Sequence, residues 1–444
     1  MKVGTTIKRS PVIFILFICL AALPGLCNAQ SKEKVLHELN ELLINTVMDD
    51  VFSPPVASRI YAYPNIAFYE CIRNEDPNYK TLAGKLNGLK PLPQPQTKVD
   101  NFISASIAFS YSGQSLVGSE YRFEDWRKRF VDSFFLQADS QLVIRSIKYG
   151  KLVADSVIAW SKRDNYFETR GMMRHVLSDK PGTWQPTPSA YASALEPNWN
   201  KIRPFTLTSC SEFSPQEKLK YSPSKQSLFY KNVMEVYTIG KTLDSTKKYI
   251  ALYWDDNPNV AVRDGHLTYF VHKISPGGHW LMIAKQACIQ KNIPLVKTSL
   301  AYTLTAISIF DGFINCWDEK FKTNLIRPVT VINSIIDENW QPLIQTPPFP
   351  EFTSGHAVIS NAAAQLLTGL LGDNFSFTDS TEILFGMKAR QFRSFYAAAE
   401  ESSMSRVYGG IHYPTTATIS KKQGRQIGAN VLSVYSSTYQ TIKK

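Results

Sequence analysis

Apolar residues recur at helical spacing along almost the whole chain, and segments with convincing strand alternation are scarce. A period near 3.6 commits a chain to burying one face of each helix against another helix, which disfavours every sheet-based architecture. Val35, Leu36, Leu39, Leu43 and Val47 mark a first amphipathic helix, and Pro54-Pro55 opens a second. A Pro-rich connector at Pro91, Pro93 and Pro95 follows. Further helical stretches are predicted near 98–112, 138–161, 225–243, 266–274, 280–291 and 296–326. The stretch from Arg170 to Pro204 is rich in Gly, Pro, Ser and Trp and is the longest loop candidate, placed to roof a site.

Three basic clusters occupy the last third of the chain: Lys320 with Arg327-Pro328, then Thr353-Ser354-Gly355-His356, then Ser405-Arg406 with His412. They supply three cations, two histidines and a small-residue turn, which is what a tetrahedral oxyanion requires. The planar donor fork of Arg matches oxyanion geometry, and Lys adds a compact point charge. Lys320 and Arg327 are seven residues apart and would project from one face of an unbroken helix, about 700° of rotation apart. Pro328 biases Arg327 away from the helical region, so that helix is expected to end near Arg327. Thr353 or Ser354 reads as the cap of an alanine-rich helix running through Leu371, with Gly355 allowing an anion close to its free N–H groups. Gly409-Gly410 permits a bend between Arg406 and His412, and Pro414 leads into a last helix from about Thr416 to Tyr435. The expectation is an all-α chain of bundled helices with the oxyanion site between helices of the C-terminal half. It divides into regions 30–205 and 206–444 or forms one continuous domain.

The remaining residues weigh on function by what they lack. The formal charge of +12 is spread along the chain without a basic tail or a nucleic-acid motif, so it suits small anionic substrates rather than DNA. Ser354 lies in no Gly-x-Ser-x-Gly elbow and is better explained as an anion donor than as a hydrolase nucleophile. His37, His175, His266 and His272 lack partners at ligand spacing, and His279 after Ser275-Pro276-Gly277-Gly278 reads as a structural residue entering a helix near Trp280. Residues 1–29 have the layout of a secretory signal: Lys2, Lys8 and Arg9, an apolar run from Pro11 to Leu23, and Cys27-Asn28-Ala29 before Gln30. An exported protein, periplasmic or secreted and without a stable membrane span after cleavage, is expected. Cys71, Cys210, Cys288 and Cys316 would remain, and none has metal-ligand spacing.

In the order Lys, six residues, Arg-Pro; then Ser-Gly-His; then Ser-Arg, five residues, His, the clusters at 320–412 resemble the superfamily of vanadium-dependent haloperoxidases and type 2 phosphatidic acid phosphatases. The helical region before them resembles the haloperoxidase-like bacterial branch, at Ser53-Pro54-Pro55 through Glu70 and Tyr253 through Asn257. The resemblance implies that Lys320, Arg327, Ser354, Gly355 and Arg406 bind the oxyanion. It implies His356 as general acid/base, Lys320 as activating charge, and His412 as the ligand of a vanadate cofactor. It also implies a halide-side pocket role for Phe349, which a core aromatic would explain equally well.

Two positions depart from the pattern: Thr353 replaces Pro, and Thr416 replaces the Asp that orients the second histidine. The function expected is a vanadate- and peroxide-dependent halide oxidation. The alternatives are an acid phosphatase working through a phospho-histidine on His412 with phosphate in the site, and a non-catalytic anion binder.

Overall fold

The computed structural model describes residues 31–135, 139–258, 260–264 and 266–440. The segment read as a secretory signal lies outside the described residues. The described residues form fourteen α-helices, in the order α1 Lys32–Asp49, α2 Pro54–Ile72, α3 Asn101–Gln114, α4 Tyr121–Phe135, α5 Ser140–Ser161 and α6 Tyr166–Arg170, then α7 Leu228–Lys241, α8 Ser245–Tyr253, α9 Pro276–Gln290, α10 Leu295–Thr323, α11 Pro328–Ile335, α12 Gly355–Leu371, α13 Phe395–Tyr408 and α14 Pro414–Gln440. Strand among the described residues is confined to two antiparallel pairs, β1 Val260–Asp264 with β2 Leu267–Val271, and β3 Phe377–Asp379 with β4 Arg390–Phe392. The stretch 266–274, expected as helix, holds β2. Its Leu-Thr-Tyr-Phe-Val sequence is β-branched and aromatic, and it pairs with β1 from Val260↔Val271 to Asp264↔Leu267. No helix among the described residues is long and apolar enough to cross a membrane.

Two helices are buried all round. Every residue of α2 from Pro55 to Ile72 is buried, and so is α10 from Thr298 to Lys320. A helix without a solvated face has to sit at the centre of a bundle, and its polar residues then need partners. Arg59 of α2 bonds Asp164 at 2.6 Å, and Tyr63 donates to the same carboxylate at 2.8 Å. Asp311 of α10 accepts from the Phe205 and Thr206 N–H groups at 2.6 and 2.8 Å, which anchors the end of the long 170–204 loop to the core. One cluster of buried apolar residues extends from Val35 of α1 to Val431 of α14.

The site is framed by α10, α12, α13 and α14. α10 ends at Thr323 because Asn324 takes the left-handed conformation, at φ 47°. Lys320 and Arg327 are therefore not on one unbroken helix: Arg327 is the N-cap residue of α11, extended as its neighbour Pro328 requires. α12 and α14 approach closely. Gly424 and Gly428 face the carbonyls of Val358 and Ala362, and an added Cβ would lie 2.2 and 2.4 Å from those oxygens.

Candidate active site

The basic clusters converge in a buried pocket. Lys320, Arg327, Ser354, Arg406 and His412 are all buried, and the His356 side chain is 14% exposed. Burying cations costs free energy unless they are matched by acceptors, and the structure shows how each is matched. Arg327 donates through Nε to the Phe349 carbonyl at 2.9 Å and through Nη1 to the Ile411 carbonyl at 2.8 Å. Arg406 donates through Nη1 to the Trp254 carbonyl at 2.7 Å, and its Nη2 is 3.8 Å from Asp255. Burial lowers the pKa of both guanidinium groups, that of Arg327 to about 10, at which it stays charged at neutral pH.

Lys320 is engaged differently from the sequence expectation. Its ammonium donates to the carbonyls of Pro350 at 3.0 Å, Glu351 at 3.2 Å and Thr353. Three N–H donors meet three carbonyls, so Lys320 braces the 350–353 segment and places a positive charge behind the pocket. Burial moves its pKa downward.

The braced segment carries the carboxylate that the sequence pattern lacks. Glu351 Oε1 lies 2.8 Å from His412 Nδ1 and accepts from the Tyr413 N–H at 3.0 Å. Thr416 Oγ1 donates to Glu351 Oε2 at 2.9 Å. Thr416 therefore holds Glu351 rather than the imidazole, and it is not the weak stand-in for an Asp that its position suggested. Burial raises the Glu351 pKa, against the pull of the Tyr413 N–H and of Arg327 and Lys320. A guanidinium can only donate, so the approach of Arg327 Nη1 makes His412 Nε2 the acceptor and leaves the ring proton on Nδ1, facing Glu351. Its Nε2 lone pair then faces Arg327 Nη1 at 3.2 Å. Burial first, then Arg327 and Lys320, push the His412 pKa well below its ordinary value, so His412 is neutral and able to donate an electron pair.

Three groups set the remaining geometry. Ser354 is the N-cap residue of α12; its N–H donates to Ser420 Oγ at 2.9 Å, while its hydroxyl makes no bond. Gly355 begins the helix, where the first-turn N–H groups have no intrahelical acceptor. His356 is held through the Trp254 carbonyl and leaves Nε2 without a hydrogen-bond partner, 3.7 Å from Asp256 Oδ2. Burial and Arg406 hold its pKa well below the ordinary value. A cavity of about 380 Å³ opens onto His356, Arg406 and His412.

The long loop does roof that cavity, through Thr187, Ala190, Ala192 and Leu195, with Trp317 and Phe349 in the walls. Leu195 donates its N–H to Pro348 and accepts from Trp317 Nε1, at 2.9 and 3.2 Å. Phe349 packs on Trp317 with ring centroids 4.9 Å apart, and its own ring centroid lies 5.1 Å from Arg327 Cζ. Thr416 does not line the cavity. Sequence reasoning missed Glu351, whose signal is the Pro-Glu-Phe-Thr-Ser-Gly-His run just ahead of α12, and Asp256, within the Trp254-Asp255-Asp256-Asn257 motif.

A vanadate or phosphate oxyanion fits what the site offers. Arg327 Nη2, Ser354 Oγ and His356 Nε2 are three buried polar atoms without partners, all carried by the converging clusters.

The comparisons agree with the geometry. The VCPO second helical-bundle domain matches residues 300–441, and no curated protein matches the chain in sequence. The chain is 43% identical to a protein whose structure is described as the first bacterial vanadium-dependent iodoperoxidase, over 90% of this chain and 96% of that one, with a TM-score of 0.86. Holo- and apo-type structures of a bacterial vanadium-dependent chloroperoxidase share the fold at 14% identity, covering 87% of this chain, with TM-scores of 0.63 and 0.64. Identity and coverage of this order mean that the chain belongs to the vanadium-dependent haloperoxidase family.

Proposed function

We propose that the protein is a vanadate-dependent haloperoxidase that uses hydrogen peroxide to oxidise halide. Iodide is the first halide to test, because the 43% identical relative is described as an iodoperoxidase. The observation that carries the reading is the pairing of a neutral His412, its Nε2 lone pair turned to Arg327, with buried unpartnered donors on Arg327 Nη2 and Ser354 Oγ. In this reading His412 Nε2 holds the metal, and Arg327, Arg406, Ser354 and the Gly355 N–H hold its oxygens. When bound, vanadate supplies Lewis-acid activation of peroxide.

The chain's own residues do the rest. Glu351 keeps the proton of His412 on Nδ1, in the manner of carboxylates that orient metal-binding imidazoles. His356 Nε2 is free to take a proton from peroxide and to return one to a departing oxygen. Lys320 fixes the 350–353 segment, and its charge favours anionic species in the pocket. The apolar walls formed by Trp317, Phe349 and the roof loop keep the pocket poor in water, which strengthens each of these charge interactions. Export is part of the same proposal and is supported by the charged, apolar and small-residue layout of residues 1–29.

The test uses purified protein loaded with orthovanadate and supplied with peroxide and iodide, and in parallel with p-nitrophenyl phosphate. Triiodide formation that requires vanadate and vanishes in His412→Ala is expected. Hydrolysis of the phosphoester without halide oxidation would replace this reading with the phosphatase one. For export, intact-mass analysis should find a chain beginning at Gln30.

A further inference from the structure

Behind His356 lies a buried charge cluster that the oxyanion site does not use. His279 of α9 has both ring nitrogens against carboxylates: Nδ1 is 3.0 Å from Asp256 Oδ1, and Nε2 is 2.8 Å from Asp379 Oδ2. Two such bonds to two carboxylates are satisfied together only by an imidazolium. All three residues are buried. The other charged groups around them are Asp255, Lys273 and Glu382, with Arg406 on the pocket side. Tyr253 packs against the ring and donates to the Asp379 carbonyl at 3.2 Å.

The cluster reaches His356 by two routes. Asp256, held at Oδ1 by His279, presents Oδ2 to the unpartnered His356 Nε2 at 3.7 Å. The Trp254 indole stacks on the His279 ring, with centroids 4.6 Å apart and planes 17° from parallel, while its carbonyl holds Arg406 and His356. Without His279, Asp256 would have no hydrogen-bonded cation on its far side and its carboxylate could turn away from His356.

We propose that His279 is a positioning residue for His356: clamped between Asp256 and Asp379, it fixes the carboxylate that faces His356 Nε2, where the proton is taken up. When an O–H bond of peroxide breaks and an N–H bond forms at His356 Nε2, Asp256 Oδ2 supplies the countercharge. The proton stays on His356 and returns from there. The proposal rests on the haloperoxidase reading, but one arm of its test does not.

The experiment compares wild type with Asp256→Asn, His279→Gln, the double variant and Glu382→Gln. Burial raises the Glu382 carboxyl to about 8, so Gln mimics its neutral form. In iodide oxidation, Asp256→Asn and His279→Gln should each lower kcat roughly tenfold to a hundredfold, the loss seen when a group orienting a functional imidazole is removed. KM for iodide and the orthovanadate Kd should stay within about twofold. The double variant should lose little more than either single one, because both act through one contact.

In vanadate-free protein, the 15N shift of His356 Nε2 should move in both single variants and stay in Glu382→Gln. That arm reads the coupling even if no halide is oxidised. An unmoved His356 signal with unchanged kcat, alongside a lowered Tm, would make His279 structural only. Stoichiometric Zn2+ binding by wild type, lost in Glu382→Gln, would instead make Asp256, His279 and Glu382 a metal site and overturn the proposal.

Discussion

Two histidines, each fully enclosed and each bonded to a carboxylate, are driven in opposite directions. His279 has carboxylates at both ring nitrogens, and Asp256 and Asp379 outweigh its burial to raise its pKa well above the ordinary value. His412 has Glu351 at Nδ1 but Arg327 at Nε2, and burial together with the cations around it lowers its pKa well below that value. One carboxylate orients a ring and a second charges it. The pocket therefore gains a neutral electron-pair donor from the same residue type that serves as a fixed cation on the other side of His356. His37 of α1 completes the series: it bonds only the Tyr302 hydroxyl, at 2.8 Å, and burial lowers its pKa to about 4.

The strongest way to break this comparison is to remove a pocket cation. Arg406→Ala takes away one side of a desolvated, charge-assisted contact, which typically costs about 2–5 kcal/mol. Calorimetry should find orthovanadate affinity reduced at least tenfold in a protein that still unfolds cooperatively. Unchanged affinity would move the oxyanion away from this pocket.

The next effect isolates the orienting carboxylate. Glu351→Gln keeps the shape but loses the charge, and it should weaken vanadate binding about 10–100-fold. Affinity at the wild-type level would show that His412 takes its tautomer from somewhere else. A smaller effect tests the outer bond. Thr416→Val removes one hydrogen bond to Glu351, worth about 0.5–1.5 kcal/mol, and should weaken vanadate binding a few-fold. Thr416→Asp should weaken it too, since a second carboxylate would then face Glu351. A gain in affinity on introducing Asp would contradict the arrangement seen here.

The last effect lies outside the pocket and concerns His37. Its folded pKa lies below that of the unfolded chain, so between about pH 6.5 and 4 the unfolded state binds more protons. The stability it contributes is present above that window and is lost as pH falls through it, by about 1 kcal/mol per pH unit. Urea titrations of His37→Gln across this range should show a shallower acid-side decline than wild type.

What was legible in the sequence follows from what is local. Helix periodicity located α1, α2, α9, α10, α12 and α14, and fixed spacing singled out His356, Arg406 and His412, which line one cavity, and Arg327, which reaches His412. Three things were hidden. The break at Asn324 depends on one left-handed residue within an otherwise helical pattern. Glu351 was overlooked because its partner His412 is 61 residues away, and a carboxylate was expected where Thr416 stands. The clamp on His279 joins residues 23 and 100 positions away through α9 and β3. Neither periodicity nor a linear motif encodes such separations.

The two glycines of α14 that lie against the carbonyls of Val358 and Ala362 carry a lesson for laboratory evolution. They set the distance between the helix bearing His356 and the helix following His412 by backbone contact, so no side chain there can be traded for another. A lineage under selection for a new acceptor should leave Gly424 and Gly428 untouched. Its substitutions should collect instead in the roof between Thr187 and Leu195, where small side chains leave room for change.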